Sequence, residues 1–269
     1  MPHNKTPAFI RVARWTRLLT HLGSAFLILA FTWPRARPRR RHVIAVRWSK
    51  RLLAILGVRV HCTGRRPPRS REGVMIAANH VSWVDIFALA SVRHTRFIAK
   101  SEIRGWPLAG WLAERSGTIF IHRARRHDTA RINALVHDAL AEGECVGLFP
   151  EGTTTEGDRL LKVHSSLFEA AVANRARVHP VAVRYENPDG TPLASVAHVG
   201  DQTLAESLRL VIGTRETVAR LAFAEPIETD GPTRQQVAME AHRRVASLLG
   251  LRTPGRAPGT AGDPPAAPR

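Results

Sequence analysis

Acidic residues are missing from the first quarter of the chain. Residues 1–71 carry 17 Lys and Arg and not one Asp or Glu; the first carboxylate is Glu72. The remainder is nearly neutral, with 23 basic against 22 acidic residues, so the formal net charge of +18 belongs to an N-terminal arm. Cysteine is scarce too. Cys62 and Cys145 cannot build a disulfide framework or a four-cysteine zinc site, and they are expected as free, buried thiols in a reducing compartment. Long apolar runs are also lacking. The best stretch, Leu18–Trp33 (LLTHLGSAFLILAFTW), holds 16 residues without Asp, Glu, Lys or Arg. As a helix it covers about 24 Å, short of a ~30 Å hydrocarbon core. What is present, 44% apolar residues over 269, suffices for one sizeable core and excludes wholesale disorder.

A basic arm anchors to polyanions, either nucleic acid or anionic lipid. The apolar residues inside it favour lipid. Arg11, Arg14 and Arg17 precede the first stretch, and Arg35, Arg37 and Arg39–Arg41 follow it. Basic flanks on both sides fit a segment that dips into one leaflet or lies in the interface, since a span normally biases its charge to one side. In the second stretch, Val43–Val60, the residues Ile44, Trp48, Leu52, Ile55 and Leu56 recur at helical spacing opposite Arg47, Lys50 and Arg51. That pattern predicts a basic amphipathic helix on a leaflet surface; the alternative is a helix packed on the domain with its basic face solvated. Thr-Trp-Pro-Arg after the apolar run offers no small-residue cleavage site for a signal peptide. No zinc-finger, RNP or helix-turn-helix signature accompanies the charge, so no nucleic-acid partner is expected.

From Glu72 onward, short apolar runs alternate with helical periods. Val74–Ala78, Arg96–Ala99, Thr118–Ile121, Cys145–Phe149, Val178–Arg184 and Val218–Phe223 are predicted strands. Ser82–Val92, His127–Glu142, Ser165–Asn174 and Gln235–Leu249 are predicted helices. The alternation argues for an α/β sheet with crossover helices, whose sites lie at the carboxyl ends of strands. Residues 251–269, rich in Pro, Gly and Ala, are expected to be a disordered tail.

Three strand ends carry unusual residues. After VMIAA, His80 is followed five positions later by Asp85, a general base with a potential orienting carboxylate. The two can meet only if His80 lies in the turn and Asp85 in the first helical turn. Ser82-x-x-Asp85 also reads as a capping box starting a helix at Ser82, in which case Asp85 merely caps. At the third strand end, GTIFIHR delivers Arg123, either an anion ligand or a surface residue. At the fourth, FPEGTTT places Glu151, Gly152 and Thr153 in a sharp turn whose N–H groups and hydroxyls could surround a ligand. No Gly-x-Ser-x-Gly elbow, P-loop, dinucleotide fingerprint or His-Glu-x-x-His motif occurs. A base, anion ligands and no evident enzyme nucleophile or metal suit direct transfer of an activated group onto a hydroxyl.

These blocks resemble the glycerolipid acyltransferase family typified by 1-acylglycerol-3-phosphate acyltransferase. Asn79-His80-xxxx-Asp85, residues 117–123, residues 149–155 and Val178-His-Pro-Val-Ala182 are similar to its four blocks, in order. The resemblance implies an α/β fold with a mixed sheet flanked by helices and membrane-associated N-terminal helices. The resemblance covers roughly residues 72–227; with the charge and composition boundaries, the chain divides into a membrane-associating arm (1–71), an acyltransferase domain (72–250) and the tail (251–269). The same resemblance implies His80 as base and Asp85 as its orienter. Arg123, Glu151 and Gly152 become acceptor-binding residues, with Thr153 beside them. Acyl-CoA or acyl carrier protein is implied as donor, with no cofactor and no metal, at the cytoplasmic face of the inner membrane. The implied acceptor is a lysophospholipid, first of all 1-acylglycerol-3-phosphate. One departure is that Thr154 stands where the common third block has Arg. The run GTTTEGDRLLKVHSSLFEAA is similar to the branch with lyso-ornithine lipid and lysophospholipid acyltransferases. The remaining alternatives are a basic nucleic-acid-binding protein and a silent lipid-binding scaffold.

Overall fold

Seven strands form one sheet in the order β1-β7-β6-β2-β5-β3-β4, in a computed structural model that describes residues 4–68, 72–106, 109–121 and 126–251. The strands are β1 (Val58–Gly64), β2 (Val74–Ala78), β3 (Arg96–Lys100), β4 (Ile119–Ile121), β5 (Cys145–Leu148), β6 (Arg177–Glu186) and β7 (Thr217–Phe223). Strands β6, β2, β5, β3 and β4 run parallel, β1 and β7 are parallel to each other, and the two groups meet antiparallel at β6–β7. The sheet is therefore mixed. The tail from residue 252 lies outside the described residues.

β2 shows why the centre is stable. All five residues of VMIAA are buried, as expected of a parallel strand covered on both faces. Val74, Ile76 and Ala78 enter one core with Leu52, Leu53, Val181 and Leu221. Met75 and Ala77 enter the other with Ile132, Val136, Leu148 and Phe168. Helices α1 (Ala8–Leu27), α2 (Pro38–Leu56), α3 (Val84–Ala90) and α7 (Leu204–Gly213) supply residues to the first core. The second receives them from α5 (Arg126–Ala141), α6 (Glu169–Ala173) and α8 (Arg234–Leu249); α4 (Ala109–Arg115) is a short helix before β4.

The arm departs from its expected form in three ways. The helix expected through Val60 stops at Leu56, and Val58–Gly64 becomes an edge strand paired with β7. The apolar stripe of α2 is not offered to a leaflet: Leu52, Leu53 and Leu56 are core residues, and Trp48 and Ile55 pack against them. This is the domain-packed alternative. Arg14, read as a basic flank, is instead a clamp on the end of α7. Its guanidinium donates to Thr6 Oγ1 (3.2 Å) and to the carbonyls of Ile212 (3.0 Å), Thr214 (2.7 Å) and Arg215 (2.6 Å). Cationic donors near a helix C-terminus satisfy its last carbonyls and its dipole.

Apart from Val43 on α2, the exposed large apolar residues described in the arm lie on α1 and the π-helical turn Ile28–Thr32 that extends it. Phe9, Val12, Leu19, Leu27 and Phe31 are all more than half exposed. No described helix is long and apolar enough to cross a membrane.

Candidate active site

Because β2 and β5 are parallel neighbours, the turns that follow them meet at one sheet edge. There the His80 imidazole and the Asp85 carboxylate form a hydrogen bond of 2.8 Å between Nδ1 and Oδ2. Helix α3 begins at Val84 rather than Ser82, which places Asp85 in its first turn as the spacing required. The capping alternative is present too. Asp85 Oδ2 accepts the main-chain N–H groups of Val81 (2.8 Å) and Ser82 (2.9 Å). Ser82 Oγ accepts from Val84 N–H instead of completing the box. One carboxylate thus closes the turn and engages the ring. Asp85 is fully buried, whereas the His80 side chain keeps 19% of its surface exposed. With Nδ1 engaged, Nε2 is the nitrogen left for a substrate.

The imidazole is held flat from its other side. Phe149 stacks on it at 3.9 Å between centroids, 11° from parallel, and Phe97 stacks on Phe149 at 5.8 Å. Gly147 makes room for this pile: a Cβ there would stand 2.6 Å from the Phe97 ring. The turn after β5 wraps the turn after β2. Thr155 N–H donates to the His80 carbonyl (2.9 Å), and Gly152 N–H to that of Phe149 (2.9 Å). Gly152 takes the left-handed conformation (φ 70°) that this reversal demands.

Glu151 is buried, and both oxygens bind main chain, Oε2 to Leu161 N–H (2.7 Å) and Oε1, more weakly, to His80 N–H (3.4 Å). Burial holds its pKa above the ordinary carboxylate value, and those N–H donors offset only part of the rise. The carboxylate shapes the turn. Thr153 is exposed at the rim, while the Thr154 hydroxyl donates to the His198 carbonyl. Arg123 lies outside the described residues. The strand leading to it, β4, is three places from β2, about 14 Å at ~4.8 Å per strand. In the fourth block, His179 is buried beside Ile76, the middle residue of β2. Burial lowers its pKa to about 4, with Arg177, Arg93 and Arg65 adding to the shift against a main-chain contact at Arg65. It is a neutral core histidine. Among the described residues, no group of three His, Cys, Asp or Glu side chains could hold a metal ion.

Two contacts were not anticipated from sequence. Asn79 pairs its side-chain amide with both the N–H (2.7 Å) and the carbonyl (3.0 Å) of Val183 in β6. Tyr185, two residues on, donates to Asp85 Oδ1 at 2.6 Å.

The Acyltransferase family model matches residues 59–184, a span that begins in β1 and ends in β6. A lyso-ornithine lipid O-acyltransferase of Pseudomonas aeruginosa is 39% identical over 209 residues, covering 77% of this chain and 79% of that protein. This chain belongs to the acyltransferase family. A second acyltransferase, the 1-acyl-sn-glycerol-3-phosphate acyltransferase of Neisseria gonorrhoeae, is 40% identical over 205 residues (74% and 78% of the two chains). The crystal structure of the acyltransferase PlsC from Thermotoga maritima superposes with a TM-score of 0.57 at 20% identity, over 89% of this chain and 99% of that one. At that identity it shows the shared fold.

Proposed function

We propose that this acyltransferase moves a fatty acyl group from acyl-CoA or acyl carrier protein to the hydroxyl of a lysophospholipid. The observation that carries the mechanism is the His80 Nδ1–Asp85 Oδ2 bond, which leaves Nε2 on the exposed side of the ring. His80 Nε2 takes the hydroxyl proton as the oxygen attacks the thioester carbonyl. The new C–O ester bond forms, the C–S bond breaks, and the proton passes from the imidazolium to the departing thiolate. Asp85 stabilises the imidazolium in between. Donors of the 149–155 turn serve the transient oxyanion; Gly152 N–H is already engaged with the Phe149 carbonyl and Thr155 N–H with that of His80. Glu151 and Gly152 contribute by holding that turn, Thr153 and Arg123 by contact with the acceptor. No cofactor is required.

The first acceptor is 1-acylglycerol-3-phosphate, giving phosphatidic acid. A second reading, lyso-ornithine lipid, is favoured by Thr154, a neutral side chain tied to the His198 carbonyl where an arginine would meet phosphate. Purified protein given both lysolipids and both donor types should yield the diacyl product, read by mass spectrometry. Thr154→Arg should raise the ratio of lysophosphatidate to lyso-ornithine turnover about ten-fold, the scale of one charge-assisted contact. An unchanged ratio removes this position from acceptor choice.

The arm holds the enzyme to the cytoplasmic face of the inner membrane, with α1 as the docking helix. Its exposed face of Phe9, Val12, Leu19, Leu27 and Phe31 is bordered by exposed Arg11, Arg17, Arg35, Arg37, Arg39 and Arg40. Each basic residue near an anionic surface adds about 1 kcal/mol. Exchanging Phe9, Leu19 and Phe31 for Ser should cut recovery with floated anionic vesicles by more than ten-fold, since burying one such side chain is worth about 1.5–3 kcal/mol. Undiminished flotation would remove α1 as the docking face.

A further inference from the structure

The chain contains a single tyrosine, and its hydroxyl is bonded to the catalytic carboxylate. Asp85 divides its hydrogen bonds unequally. Oδ2 accepts from His80 Nδ1, Val81 N–H and Ser82 N–H, whereas Oδ1 accepts from Tyr185 OH at 2.6 Å. Tyr185 is itself 3% exposed and sits in β6, the strand beside β2. Two residues earlier, Asn79 locks the start of the catalytic turn to Val183 of the same strand. The turn is thus fastened to β6 at both ends, once through the Asn79 side-chain amide and once through the Asp85 carboxylate.

We propose that Tyr185 is a positioning residue for acyl transfer, setting the orientation and charge distribution of Asp85 and through it the basicity of His80. The inference rests on the reading of His80 as the base. A phenol O–H donating to a carboxylate draws negative charge onto the oxygen facing away from the imidazole. Loss of that donor concentrates charge toward Nδ1 and favours the imidazolium; a stronger donor does the reverse. Burial, reinforced by the Asp85 charge, raises the Tyr185 pKa far above its ordinary value, so the phenol remains a donor across the working range. Among the described residues, Glu151 is a titratable group that faces the pair, held to the main chain of His80 and Leu161. His198 binds Val81 through its main-chain N–H. Neither of these contacts involves Tyr185.

A lone tyrosine allows a test that does not depend on a substitution. Fluorotyrosine supplied in place of tyrosine during expression labels this one position, keeps the hydroxyl and makes it more acidic. The measurement is kcat/KM against pH for the full chain, whose acid limb reports the free enzyme's base. Tyr185→Phe should move that limb up by roughly half a pH unit and lower kcat about ten-fold, with a folded protein by thermal unfolding. Fluorotyrosine should move the limb in the opposite direction. Opposed shifts support the proposal, because a packing role would lower stability without moving the limb. A limb unmoved by both changes, in a protein that His80→Ala inactivates, overturns the role of Tyr185 alone. Activity surviving in His80→Ala would instead remove the base on which the inference stands.

Discussion

Replacing His80 by Ala is expected to lower acyl transfer by about 10²–10⁴-fold, the usual worth of a positioned general base. The fold should survive. The His80 side chain is partly exposed, so its removal opens a surface notch rather than a sealed cavity. Asp85 would still accept from Val81 N–H, Ser82 N–H and Tyr185 OH, so the buried carboxylate keeps three of its four partners. Thr155 N–H would still bind the carbonyl of residue 80, because that bond is main chain to main chain. The exposed apolar side chains of α1 proposed to dock are untouched. The expected result is a stable protein that floats with vesicles and forms almost no diacyl product in the mass assay. Transfer within a few-fold of the unchanged enzyme would mean that another group takes the hydroxyl proton.

Much of this was legible before the structure, and the parts that were not share a cause. Val74–Ala78 and Cys145–Leu148 stand out in sequence because each is a short apolar run buried on both faces. β1 hid because Arg59 and His61 interrupt it and because Val58 and Val60 prolong the apolar spacing of α2. Helix α7 is marked in sequence by the capping box of Thr203 and Glu206 that opens it. The His80–Asp85 contact was readable from spacing plus one condition on where the helix begins. Tyr185 lies 100 positions from Asp85, and only the order of β6 beside β2 brings them together. Its signal was faint but real: a buried phenol at the core-facing period of a strand needs an acceptor. Charges were the hardest to place. Arg14 and Glu151 each bind main chain, and composition cannot separate such a charge from one awaiting lipid or substrate. The same ambiguity extends the leaflet reading from Leu18–Trp33, where Leu19, Leu27 and Phe31 remain exposed, to the stripe of α2, which the core absorbs.

Asp85→Asn tests the charge of the dyad apart from its shape, and its expected cost is roughly 10³-fold in kcat. The side chains are nearly isosteric. If the Asn oxygen takes the place of Oδ2, it still accepts from Val81 N–H, Ser82 N–H and His80 Nδ1, the three groups that define the turn. The Asn NH2 then faces Tyr185, whose hydroxyl can rotate from donor to acceptor. Every buried polar atom keeps a partner, so thermal stability should fall only modestly. What disappears is the negative charge that stabilises the imidazolium as the hydroxyl oxygen attacks. The flipped amide is the worse arrangement, because it sets NH2 against two main-chain N–H donors and leaves them unpaired, at about 1–3 kcal/mol for each group. The two outcomes separate cleanly. A large loss of kcat with a nearly unchanged melting temperature assigns the effect to charge, whereas a parallel fall of both assigns it to the turn. Retention of most activity in a folded Asp85→Asn protein would show that His80 works without a charged partner.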